Sequence, residues 1–113
     1  MRQINSQITK KELRDIAAKS FGQLVKAVVD TARNVLVIDM SLHADGEAFL
    51  LSSGSNQEDI WGINLYPDLE GDDFIEFDSM INVRPNRNNM SRGIDAPAIK
   101  EHIRVLVMKY IGS

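Results

Sequence analysis

The side chains best suited to chemistry cluster in the second half of the chain. The loop NVRPNRNNMSRG, residues 82–93, holds three arginines, four asparagines and a serine in twelve positions. An arginine guanidinium is a rigid fork of N–H donors that matches a carboxylate or phosphate. Arg84 and Arg92 converging over a sheet end would therefore form an anion site, with the Ser91 hydroxyl nearby and the start of a following helix adding positive potential. The strand entering the loop alternates, which puts Glu76, Asp78, Asn82 and Arg84 on one face. If residues near 65 pair with residues near 75, Gly62 and Asn64 join that face. A glycine floor with asparagine, carboxylate and arginine walls suits a small polar ligand. The candidate site is thus Asn64, Asp78, Asn82, Arg84, Ser91 and Arg92.

Plainer readings stand beside it. A polar face is ordinary for an antiparallel sheet with one solvated side, and Asn, Ser, Gly and Pro are turn formers that need no ligand. The arginines can be spent internally on Glu76, Asp78 or the acidic turn at 70–73. On that account Arg84 is paired with a carboxylate and stabilises the fold, and Arg92 is the more exposed and the better ligand candidate.

Other chemistries are poorly supplied. The chain has no cysteine and two histidines, which excludes disulfides, thiolate catalysis and cysteine-ligated zinc. His43 and Glu47, four apart at a helix start, share a face and could with Asp39 hold a metal; the competing reading is a helix cap and a dipole partner. No metal and no cofactor are expected. There is no phosphate-binding glycine loop, Ser79 is expected to point to the core, and Ser91 with His102 lacks a third partner. The alternative to a binding module is a metal-independent hydrolase or small ribonuclease using Arg84, Arg92 and Asp78.

Thr9 and Glu12 form a capping box, followed by Leu13, Ile16, Ala17 and Phe21 at helical spacing and Gly22 as the stop. LVKAVVD and VLVIDM are β-branched runs around the turn TARN, apolar on nearly both faces and so central. A helix over ADGEAFLLSSG starts at Ser41 or His43 and ends before Gly54, with Gly46 weakening it. DIWGINLYP and FIEFDSMINVRP make a second hairpin around DLEGDD. Its last strand turns Ile75, Phe77, Ile81 and Val83 to one face and stops at Pro85. Trp61 is expected to fill core, and Gly62 marks a bulge or a close approach. A final helix follows Asp95, with Pro97 in its first turn and a stripe of Ile99, Ile103, Leu106 and Tyr110. The order α-β-β-α-β-β-α is an α+β domain with two hairpins in a largely antiparallel sheet. Helices are expected on one face, with residues 1–8 as a frayed end or edge strand.

The 113 residues suit a single domain, 43% hydrophobic and 26% charged. Thirteen basic and sixteen acidic side chains leave a net charge of −3 and a pI near 5.3. That balance opposes nucleic-acid binding over the whole surface. Nothing approaches the ~20 apolar residues of a membrane span. The N-terminus lacks an apolar signal run, so a cytoplasmic location is expected. Ile60, Tyr66 and Met80 on the open sheet face point to a homodimer.

The strings VKAVVD, LHADGEAFLL, GSNQEDIWGINLYPD and FIEFDSMINVRPNRNNMSRGI together resemble a family of small bacterial and archaeal proteins grouped as a domain of unknown function. The resemblance spans roughly residues 9 to 111. Ser41 departs from a commonly acidic position, and Met90 from a common arginine, which takes a positive charge out of the loop. The resemblance implies a shared fold and carries no activity.

Overall fold

The two β-branched runs form the centre of the molecule. The computed structural model describes residues 1–112. In chain order the elements are β1 (Arg2–Gln3), β2 (Ile8–Thr9), α1 (Lys10–Ala18), β3 (Val25–Asp30), β4 (Val35–Ile38), α2 (His43–Ser52), β5 (Ile60–Leu65), β6 (Ile75–Glu76), α3 (Pro97–Tyr110) and β7 (Ile111–Gly112). Five strands make one sheet in the order β1-β4-β3-β5-β6, with every pairing antiparallel. A short parallel pair, β2 with β7, ties the two ends of the chain together. The class is α+β, and residues 2 and 3 are an edge strand rather than a frayed end.

Local chemistry accounts for the boundaries. Thr9 Oγ1 accepts from the Glu12 amide at 3.1 Å and caps α1. Helix α1 ends at Ala18, short of Phe21, and Gly22 at φ 88° lets its amide donate back to Ala17 O. The turn between β3 and β4 is held by Asp30, which is fully buried and accepts from the amides of Ala32 and Arg33 at 2.9 and 3.0 Å. Asn34 closes it in the left-handed region, at φ 55°.

Both faces of the sheet are covered, and here the structure departs from the one-face expectation. Ala27, Val29, Leu36, Ile38, Trp61 and Ile63 pack against Leu13 and Ala17 of α1 and Ile103, Leu106 and Val107 of α3. Trp61 is 5% exposed, as expected of a core residue. Val28, Val37 and Ile60 point the other way and pack against Leu50 of α2 and Met40. Strands apolar on both faces demand two covering layers, and α2 is the second. Ile60, assigned above to an open dimer face, lies fully buried beneath it. Among the described residues no helix is long and apolar enough to cross a membrane.

The long final strand is also shorter than its alternation suggests. Only Ile75 and Glu76 pair with β5, opposite Leu65 and Asn64, in the expected register. Beyond them the chain leaves the ladder and makes 3-10 turns at Met80–Asn82 and Pro85–Arg87. Ile81 accordingly packs on the α2 side, away from Phe77 in the main core, and Val83 lies near the surface.

Candidate functional site

The loop at residues 82–93 is largely occupied with itself. Asn89 is buried; its Nδ2 donates to the carbonyls of Asn82 at 2.7 Å, Gly93 at 2.8 Å and Ser91 at 3.1 Å. Its Oδ1 accepts from the Asp95 amide at 2.8 Å. Ser91 Oγ donates to Asp95 Oδ1 at 2.7 Å, and the Met90 amide donates to Asp95 Oδ2 at 2.9 Å. Those two bonds hold the exposed Asp95 carboxyl below its usual range, the Ser91 bond contributing most. Asn88 takes the left-handed turn position at φ 59°. Asn82 and Asn89 supply partners for backbone groups of a chain that has left the sheet.

Each loop arginine faces a carboxylate. Arg84 is buried, and its Nη2 donates to Ile60 O and lies 3.5 Å from Glu47 Oε2. Its guanidinium sits 4.9 Å from the Trp61 ring centroid. The Nε and Nη1 of Arg84 find no hydrogen-bond partner. Burial lowers the Arg84 pKa, and Glu47 opposes that shift. Arg87 pairs with Glu58. Arg92 pairs with Asp78 at 2.7 Å and stays half exposed. Arg84 is thus carboxylate-paired as expected, but the partner is Glu47 on α2 rather than Glu76, Asp78 or the acidic turn. Arg84 and Arg92 do not share a site. Arg84 borders a separate polar cleft with Asn56, Glu58 and Arg87, so the trio of Arg84, Arg92 and Asp78 is not assembled.

What the structure does bring together lies at the end of the α2-side face that α2 leaves uncovered. A cleft of about 510 Å³ is lined there by Asn64, Asp78 and Arg92 with Lys26, His43, Tyr66, Glu76 and Ser79, and by the apolar Leu24, Leu42 and Met80. Asn82 and Ser91 of the candidate set lie outside it. Asn82 is fully buried behind the cleft, where it clamps Gly62. Ser79 does not point into the main core. It lies over Gly62, where an added Cβ would come within 2.6 Å of it. The space left by Gly62 is therefore filled by the protein's own chain.

Asn64 is the best-defined residue of the cleft. Its Nδ2 donates to Glu76 Oε1 at 2.8 Å and to Asp78 O at 3.2 Å. Two acceptors on one side fix the amide's orientation. Its Oδ1, buried at the cleft wall, then meets no donor. A buried unpaired acceptor costs about 1–3 kcal/mol.

His43 explains why the neighbouring ring does not help. It opens α2, and its Nε2 lies 2.8 Å from Ile63 O. A carbonyl only accepts, so Nε2 carries the proton. Burial is the largest influence and lowers the His43 pKa below 6.5; the Ile63 hydrogen bond, next in size, opposes it. The Lys26 charge lowers it further, and the Asn64 side chain, which would accept from a protonated ring, and the Asp78 charge oppose it least. The ring is neutral near pH 7, and its single N–H is committed to Ile63. His43 neither caps α2 nor shares a site with Glu47, which is turned to Arg84. Among the described residues no three His, Asp or Glu side chains are grouped to hold a metal ion.

Tyr66 Oη donates to Glu76 Oε1 at 3.1 Å. Desolvation raises its pKa, and Glu76 adds to this, so the phenol stays a donor. Lys26 and Arg92 balance Glu76 and Asp78 in charge. Lys26, the one basic residue of β3, gives no signal of this in the sequence because its strand is otherwise largely apolar; its direct cross-strand partner is Asn64.

Residues 2–110 match the family model described as protein of unknown function (DUF5674), and the chain belongs to that family. Neither the curated proteins nor the solved structures contain a match to it.

Proposed function

We propose that this member of the family is a binding module, and that the cleft between β5, β6 and the start of α2 holds a small molecule. The ligand presents a hydrogen-bond donor beside an apolar part. The observation that carries this reading is the Asn64 amide. It is pinned by Glu76 and Asp78 O, and its Oδ1 has no donor because the one N–H of neutral His43 is spent on Ile63. Unpaired acceptors at a cleft wall are where a ligand gains most from a donor. Leu42 and Met80, 61% and 65% exposed at the cleft rim, suit the apolar part. A strongly anionic ligand fits less well, because the cleft's two cations are matched by two carboxylates and Arg92 already has Asp78. The hydrolase or ribonuclease reading is less well supported, because Arg84 lies in a different cleft from Arg92 and Asp78 and those two are paired with each other.

The test is an NMR titration of ¹⁵N-labelled protein with benzamide, tryptamine, adenosine and sodium sulfate at millimolar concentration. At least one of the three donor-bearing probes is expected to shift the Asn64 side-chain amide and the backbone amides of residues 64–66 and 76–78. Sulfate is expected to leave them unmoved. Response to sulfate alone, or equal binding by Asn64→Leu, overturns the reading.

A further inference from the structure

The outward side of α3 carries a pattern that its fold does not need. Its inner stripe of Ile99, Ile103, Leu106, Val107 and Tyr110 packs onto the sheet, on the face opposite the cleft. A second row at three- and four-residue spacing, Ala98, Glu101, Val105 and Met108, faces away from the core. Val105 is 63% exposed and Met108 55%. A β-branched residue at an exposed mid-helix position gains neither burial nor helix propensity. Val105 also borders an open, mainly apolar groove of about 530 Å³ between α3 and Asn34 of the β3–β4 turn. His102 Nε2 lies 2.7 Å from Asn34 Oδ1, which ties the helix to the turn and keeps the groove formed.

We propose that this face receives a second copy of the chain, with α3 packed antiparallel on its mate and the two-fold axis passing at Val105. The charge pattern selects this occupant. Glu101 and Lys109 lie four residues on either side of Val105. Glu101, 67% exposed, also lies 3.5 Å from Arg104 of its own helix, a solvent-screened pair that leaves its second oxygen free for a partner's lysine. A perpendicular two-fold at Val105 sends position 101 onto 109 and 109 onto 101, so each glutamate meets the other copy's lysine. Val105 meets its own symmetry mate, and His102 lies opposite Met108. Four residues are about 6 Å of helix, within reach of both long side chains. A parallel pair would instead set glutamate on glutamate and lysine on lysine. An unrelated partner has no need of charges that complement themselves about a single apolar residue, whereas an isologous interface requires it. The contact is small. Fourteen residues make a helix about 21 Å long, so the interface falls in the range below ~1,200 Å² where association is transient.

Sedimentation equilibrium over low to high micromolar concentrations tests this. The chain is expected to pass from monomer to dimer across that range. Glu101→Lys and Lys109→Glu should each weaken association by about fivefold or more, since each removes two symmetry-related pairs. The double variant restores both pairs with reversed sign and should return the affinity to within about twofold of the original. Val105→Lys should leave a monomer. All three positions are exposed, and thermal melts check that each variant is folded. A monomer at every concentration, a dimer indifferent to Val105→Lys, or a charge swap that fails to restore association overturns the proposal.

Discussion

Asn82 binds Gly62 as a neighbouring strand would. Its Oδ1 accepts from the Gly62 amide and its Nδ2 donates to Gly62 O, both at 2.9 Å, with a further bond to Arg92 O at 2.9 Å. One side chain thereby completes the ladder at a point where β6 has already ended. Asn82→Ala is expected to lower stability in urea by about 2–4 kcal/mol, because it leaves buried backbone groups unpaired. Asn82→Asp should also be destabilising, since it keeps the acceptor and loses both donors. A loss under ~1 kcal/mol for Asn82→Ala would mean that the backbone finds other partners.

Arg84 and Arg92 should separate cleanly in stability. Arg84→Ala removes a buried guanidinium from the Trp61 face and strands Glu47, whose side chain is only 17% exposed. The expected loss is about 2–4 kcal/mol. Arg92→Ala breaks an ion pair whose side chains are 56% and 42% exposed, and solvent screening holds its effect below ~1 kcal/mol. Equal losses in chemical denaturation would contradict this division.

Stability should fall on mild acidification. The folded-state pKa of His43 lies below its ordinary 6.5, so the unfolded chain takes up a proton that the folded ring refuses. The stabilisation is complete above 6.5 and is lost as pH falls through that value toward the folded pKa. Asp95 acts in a separate, lower window, because its depressed pKa contributes above 3.8 and is lost below it. Melting temperatures between pH 7.5 and 5, roughly the span over which histidine titrates, should decline for the parent chain. They should decline less for His43→Gln, whose side chain keeps a donor for Ile63 O and does not titrate. An unchanged slope in that variant would remove His43 as the cause.

Gly46 inverts the usual expectation for a helix glycine. Intrinsic propensity alone makes Gly46→Ala stabilising by up to ~1 kcal/mol. A Cβ there would lie 2.6 Å from Met40 Sδ and 2.7 Å from Val28 Cγ2, so α2 packs on β3 only because that position is bare. Gly46→Ala is expected to destabilise by about 1–3 kcal/mol as an overpacked site. A rise in melting temperature would show that Met40 moves aside at little cost.

The sequence alone determined whatever depends on near neighbours along the chain. The β-branched runs specified β3 and β4 as central strands, Thr9 with Glu12 specified the start of α1, and TARN specified the turn between the two strands. The register of the second hairpin was also legible, because alternation and the acidic turn set it, and with it the shared face of Asn64, Glu76 and Asp78. The remaining contacts depend on where α2 lands. Its crossing of the sheet buried Ile60, brought His43 to Ile63 O and set Glu47 before Arg84. Residues 20 to 37 positions apart along the chain have no periodicity that could announce such contacts. The same holds for Asn82: alternation placed it on a wet strand face, but the chain had already left the ladder there. A side-chain amide carries the same donor and acceptor as a peptide group, so it stands in for backbone without leaving a strand-like signal of its own.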